Sequence, residues 1–170
     1  GPDRLLTVAR EAKAARIPIR VGVNSGSVEK EFLEKYGGVN EASMVQSALQ
    51  AVRRLEDCGF EDIIVSIKAS DPGLTIRAYR LLSDKIPYPL HLGVTEAGTP
   101  KEGVIRSAVG IGTLLAEGIG DTIRVSLTGD PLREVECALD ILKALRLRET
   151  GAQIISCPTC GRTGVDLIRL

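Results

Sequence analysis

At 170 residues, 44% of them hydrophobic, the chain can bury one substantial core, which excludes a disordered segment. Lys+Arg and Asp+Glu both number 22, and a net charge of zero excludes a global field drawing the protein to nucleic acid or an anionic membrane. The longest apolar run, Ser107–Gly118, is broken by glycines and falls short of the roughly 18 apolar residues a spanning helix needs, so the chain reads as soluble.

Gly1-Pro2, without a methionine, reads as the scar of a removed expression tag, and no secretion signal follows it. Apolar periodicity predicts a helix over Arg4–Ala15. Four β-branched runs then read as strands, at 17–24, 62–68, 89–95 and 121–127. Helices are predicted after them over Glu41–Asp57, Pro72–Asp84, Lys101–Glu117 and Asp130–Leu145. Asp71-Pro72 and Asp130-Pro131 each set an N-cap carboxylate before a proline suited to the first turn, and Gly59 and Gly118 mark stops. A last short strand at 152–156 enters the cysteine pair. Strands alternating with helices predict a parallel sheet.

Residues two apart on a strand share a face. One face is wholly apolar: Ile19, Val21, Val23; Ile63, Val65, Ile67; Leu90, Leu92, Val94; Ile123, Val125, Leu127. The other carries Arg20, Gly22, Asn24, Ser66, Lys68, His91, Gly93, Thr95, Arg124, Ser126 and Thr128. Doubly wound sheets are covered on both faces, whereas a barrel turns one face toward a central site. The expected fold is therefore α/β, and a complete barrel of eight units takes about 250 residues. Four units imply half of a TIM-type (β/α)8 barrel cut from a longer protein, with 3–150 as the half-barrel and 151–170 as the start of another domain.

Lys68 ends its strand, and Arg20 and Arg124 are taken to lie at matching positions of two others, so three cations are expected to converge near the barrel mouth. Guanidinium and ammonium groups beside the Asn24, Ser126 and Thr128 donors suit a phosphoryl group; the alternative is that each cation pairs with a nearby carboxylate. Glu96 ends the third strand, where a barrel enzyme keeps an acid or base. His91, the one histidine, lies toward the N-terminal end of its strand and reads as a hydrogen-bonded core residue. Cys58 and Cys137 read as small hydrophobes on helix faces, and sparse cysteine fits a reducing cytoplasm. Cys157 and Cys160 in "CPTC" admit a thiol–disulfide site, a structural zinc or part of an iron–sulfur cluster; the glycines after them disfavour the first, and one CxxC leaves the other two open.

The segments "IPIRVGVNSGSVEKEFLEKYG", "VSIKASD", "LHLGVTEAG", "EGIGDTIRVSLTGDP" and "CPTCGR", in this order across nearly the whole chain, resemble the bacterial 4-hydroxy-3-methylbut-2-enyl diphosphate synthase family. The resemblance implies an oxidoreductase of isoprenoid biosynthesis by the methylerythritol phosphate pathway. It opens 2-C-methyl-D-erythritol 2,4-cyclodiphosphate reductively with loss of water, using a [4Fe-4S] cluster reduced by ferredoxin or flavodoxin, in a cytoplasmic homodimer. By that similarity Arg20, Asn24, Lys68, Arg124 and Ser126 hold the substrate, Glu96 lies near the reacting oxygens, and Cys157 and Cys160 are cluster ligands. The family's third cysteine and its glutamate ligand do not follow here before Leu170, so the chain alone is expected to be inactive and to pair or aggregate through its open sheet edges. A competing reading is a stand-alone phosphate-binding half-barrel with zinc at the CxxC.

Overall fold

A computed structural model describes residues 2–149 together with Gly151 and Gly164. The elements run α1 (Pro2–Ala15), β1 (Ile19–Asn24), a 3-10 turn at Ser25–Ser27, α2 (Lys30–Tyr36), α3 (Glu41–Glu56), β2 (Ile63–Lys68), α4 (Pro72–Ser83), β3 (His91–Leu92), α5 (Pro100–Ala116), β4 (Thr122–Ile123) and α6 (Pro131–Ala144). The five predicted helices form within two residues of their expected bounds. The expected strand at 152–156 lies outside the described residues.

The caps explain that agreement. Asp71 accepts from the backbone N–H groups of Gly73 and Leu74 at 3.1 and 3.0 Å, and Asp130 from that of Leu132 at 2.9 Å, so each carboxylate satisfies orphan donors of the first turn. The short α2 has no counterpart in the sequence reading. It closes on Gly37, whose left-handed φ of 72° lets its N–H reach the Leu33 carbonyl.

The strands lie in chain order and run parallel. β1 pairs with β2 from Ile19↔Ile63 to Asn24↔Lys68, a bridge at Val65↔Leu90 joins β2 to β3, and β3 pairs with β4 at His91↔Thr122 and Leu92↔Ile123. The apolar face is the core: Val21, Val23, Ile63, Val65, Ile67, Leu90, Leu92, Val94 and Val125 are all buried. They pack against buried residues of α3, α4, α5 and α6. α5 comes in closely because a Cβ at Gly110 would stand 2.5 Å from Val94 Cγ2 and one at Gly103 2.5 Å from Leu127 Cδ2; no larger residue fits either place at this separation.

β3 and β4 have far shorter ladders than their sequence runs suggest, and the cause is local. At one end of the β2–β3 seam Val65 N–H donates to Pro89 O at 2.9 Å, and at the other Thr95 N–H donates to Ala69 O at 3.1 Å, in the same register. Between them two side chains of α4 intrude. Ile67 N–H donates to the Tyr79 hydroxyl at 3.0 Å, which itself donates to His91 O at 2.6 Å. Ala69 N–H turns to Thr75 Oγ1 at 3.2 Å. A phenol can accept and donate at once, so Tyr79, fully buried, stands in for a missing ladder bond. Beyond β4, Leu127 N–H finds Glu134 Oε1 at 2.8 Å instead of a strand partner.

Cys137 is buried, as expected, whereas Cys58 is only half-buried. Burial, with Asp140 nearby, pushes the Cys137 thiol up and keeps it protonated. Among the described residues no helix is long and apolar enough to cross a membrane.

Replacing Tyr79 by Phe keeps the ring and removes the bridge between Ile67 N–H and His91 O. The expected loss is about 1–3 kcal/mol, the cost of leaving buried polar groups unpaired. Urea unfolding reads it; an unchanged midpoint would mean that the two strands close and make the bond directly.

Candidate functional site

The polar face is built by register. β1–β2 pairing sets Lys68 beside Asn24, the β2–β3 register sets it beside Gly93, and β3–β4 pairing carries the row on to Arg124. Gly93 is what this row requires. A Cβ there would lie 2.8 Å from Arg124 O, 3.1 Å from Lys68 Cε and 3.3 Å from Lys68 Nζ, so only glycine lets the lysine stem cross this strand.

Lys68 is 5% exposed. The ion pairs among the described residues are Lys30–Glu34, Arg77–Glu41, Arg80–Glu117 and Arg133–Glu136; none involves Arg20, Lys68 or Arg124. The alternative that each cation pairs with a carboxylate therefore fails among these residues. Burial first, then the charges of Arg124 and Arg20, push the Lys68 ammonium down to about 8. Three cations thus share one face without a counter-ion, an arrangement that favours a multiply charged anion.

Arg20 corrects one expectation. It is in register with Ile64, four residues short of Asn24, so it does not match Arg124 in level but starts deeper in the sheet. Its charge still reaches Lys68 and His91.

The sequence reads His91 as a hydrogen-bonded core residue, and only half of that holds. Its Nδ1 makes a 2.7 Å bond with Thr122 Oγ1, but Nε2 is buried with no hydrogen-bond partner among the described residues. Burial, then Lys68, Arg20 and Arg124, push the imidazole down to about 4, so it is neutral at pH 7. The available signal was its spacing: His91 precedes Gly93 by two residues and shares its face.

The remaining candidates lie at the C-terminal ends of the strands. Asn24 is exposed and opens the turn in which its N–H donates to Ser27 Oγ at 2.9 Å. Ser126 is half-buried in the unpaired stretch after β4. Glu96 is exposed in the loop after β3 with φ of 53°. The other non-glycine residues with positive φ among those described, Arg16 and Arg146, follow helix ends, whereas Glu96 holds this costly conformation in the loop that directly follows Thr95. Cys157 and Cys160 lie outside the described residues. Among those described, no group of three or more His, Cys, Asp or Glu is arranged to hold a metal ion. A cavity of about 560 Å³ lies elsewhere, between α5 and α6, lined by Val104, Leu127, Cys137 and Ile141 among others.

A family model described as the GcpE TIM-barrel domain matches residues 2–139. The chain is 64% identical over 168 residues to the 4-hydroxy-3-methylbut-2-en-1-yl diphosphate synthase (flavodoxin) of Ruminiclostridium cellulolyticum, covering 99% of this chain and 48% of the relative. It is 58% identical to the protein of that name from Caldanaerobacter subterraneus subsp. tengcongensis, with 99% and 47% covered, and 55% identical to that from Clostridium tetani, with 99% and 48% covered. The chain spans about half the length of the curated relatives it matches. Nothing in these comparisons favours the zinc-bearing stand-alone module.

The depressed lysine has a thermodynamic consequence. With a folded value of about 8 against an ordinary 10.5, the unfolded chain binds more protons between these values, so stability rises with pH across this window and the penalty is full below pH 8. Lys68→Met keeps the stem and removes the charge. It is expected to raise the melting temperature at pH 7 by a few degrees, at roughly 2–4 °C per kcal/mol, and the gap should shrink by pH 10. A variant that melts lower than the parent at pH 7 would show that the charge is compensated.

Proposed function

Since the chain belongs to the GcpE TIM-barrel family, we propose that it forms the diphosphate-holding wall of a 4-hydroxy-3-methylbut-2-en-1-yl diphosphate synthase, an oxidoreductase of isoprenoid biosynthesis. The substrate is 2-C-methyl-D-erythritol 2,4-cyclodiphosphate, whose ring is opened reductively as one oxygen leaves as water, giving (E)-4-hydroxy-3-methylbut-2-enyl diphosphate. The unpaired charge of Lys68 beside Arg124 and Arg20 carries this reading.

Each residue has a distinct task. Lys68 supplies a compact charge on the row that Arg124 shares, and its low affinity for its own proton is reversed when phosphoryl oxygens arrive. Arg124 offers a planar pair of donors beside it, and Arg20 reaches up from below. Asn24 and Ser126 complete the hydrogen bonds. Glu96, held on the exposed loop past β3, protonates the departing oxygen. His91 stays neutral and adds no fourth charge.

Cys157 and Cys160, with a further cysteine and a glutamate, would hold the proposed [4Fe-4S] cluster, which would supply the electrons. The described residues bring no alternative ligand set together, since Cys137 is buried on α6 and Cys58 follows α3. Flavodoxin, which the relatives' names give, or ferredoxin is the proposed donor, and a cytoplasmic homodimer the proposed assembly.

Calorimetry with inorganic pyrophosphate tests the anion site directly. Lys68→Ala is expected to weaken binding about tenfold or more, the scale of one charge-assisted hydrogen bond, and the parent's affinity should fall as pH rises through about 8. Equal affinity before and after the substitution would sink the reading. In the whole protein, Glu96→Gln should lower kcat by about a hundredfold or more, the worth of a positioned acid, with substrate affinity retained; loss of affinity at unchanged kcat would make Glu96 a binding group instead.

A further inference from the structure

Holding an anion requires only charge, and Lys68 has features beyond that. Its stem is buried while its amine carries no hydrogen bond or ion pair among the described residues. The buried polar side-chain atoms without partners there are His91 Nε2 and Ser107 Oγ, so Nζ is not one of the sealed atoms and still opens onto the polar face. The groups facing it are Arg20 from β1, His91 from β3 and Arg124 beyond β4. All are cationic or neutral, and among the described residues no carboxylate pairs with it.

An amine desolvated and set beside other cations is the arrangement that makes lysine a nucleophile. We propose that Lys68 is a carbonyl-reactive amine that takes a phosphorylated aldehyde at this site and holds it as an imine, the flanking arginines gripping the phosphate. The proposal rests on the anion-site reading and adds a covalent activity to it.

The step balances without an oxidant or reductant. The amine lone pair attacks the carbonyl carbon, the carbonyl oxygen takes up a proton, and a carbinolamine forms. Loss of both amine protons with that oxygen as one water leaves the carbon–nitrogen double bond, and water reverses it. The neutral amine is accessible near physiological pH because burial and the two arginines disfavour the ammonium.

Other lysines differ in kind. Lys13 donates to Gly59 O at 3.0 Å, Lys30 pairs with Glu34, and Lys35 lies over the Tyr36 ring; these and Lys85, Lys101 and Lys143 are exposed.

Pyridoxal 5′-phosphate is the probe, with borohydride trapping and peptide mapping of the intact 170-residue chain at pH 8. The expected label falls on Lys68 before any other lysine, inorganic pyrophosphate protects it, and pyridoxal lacking the phosphate reacts about tenfold more slowly or worse, for want of the charge-assisted contacts. Lys68→Arg should abolish the fast phase. Label spread over the exposed lysines with Lys68 untouched, in a chain that still binds pyrophosphate through Lys68, would overturn the imine proposal and leave the anion site standing. Equal rates for the two aldehydes, without protection by pyrophosphate, would overturn both.

Discussion

A single buried hydroxyl sets the geometry on which the polar face depends. Tyr79 reaches from α4 between β2 and β3 and bonds to a donor on one and an acceptor on the other. In a low-dielectric interior such a relay is strong when complete and costly when broken. Because parallel ladders space their bonds evenly, an inserted oxygen must widen the seam locally, and Thr75 diverts the next strand donor in the same way. The seam is nonetheless pinned at both ends. Lys68 sits between the two diverted donors, of Ile67 and Ala69, with its side chain over the opposite strand at Gly93. The helix thus shapes the far side of the sheet through a hydrogen bond rather than through contact.

The charge pattern gives the second half of the account. Elsewhere ordinary rules hold with few exceptions, Ser107 Oγ being one: the ion pairs among the described residues are on the surface, where they are worth little, and α3, α4 and α6 carry side-chain caps. On the polar face the rules are broken together, by an unpaired buried lysine and an orphaned imidazole nitrogen, and the loop that follows Thr95 adds a left-handed glutamate. Local rule-breaking of this kind is expected where function is built. It is affordable because the apolar face supplies a continuous core behind it, each fully buried aliphatic side chain contributing about 1.5–3 kcal/mol.

What could be read from the sequence was what neighbours in the chain decide. Asp71 and Asp130 announce their helices because a cap acts within three residues, and alternation along each strand separates the two faces because the period is fixed by the pleat. α2 escaped because its seven residues close on Gly37 without a long apolar repeat. The level of Arg20, opposite Ile64, is hidden from the sequence because interstrand register is not written in either strand alone. Tyr79 reads as one more apolar helix position, and nothing near it in the chain reveals that its hydroxyl ends in a sheet. Alternation already sets His91 on the face of Gly93, but nothing along its own strand reveals that one ring nitrogen ends buried without a partner among the described residues. The lone CxxC drew its meaning from the family resemblance and lies outside the described residues.

Gly93 has a consequence for how this surface can drift. Its missing Cβ is the space that Lys68 and the Arg124 carbonyl already occupy, so positions 68, 93 and 124 form one unit spread over three strands, and changes at residues in contact are not independent. A side chain at 93 becomes tolerable only after the lysine stem has shortened and the neighbouring backbone has moved, and each of those changes alone disturbs the charged row. Single substitutions therefore lead out of this arrangement through weakened intermediates, and the lineage is confined there by the order in which mutations would have to occur.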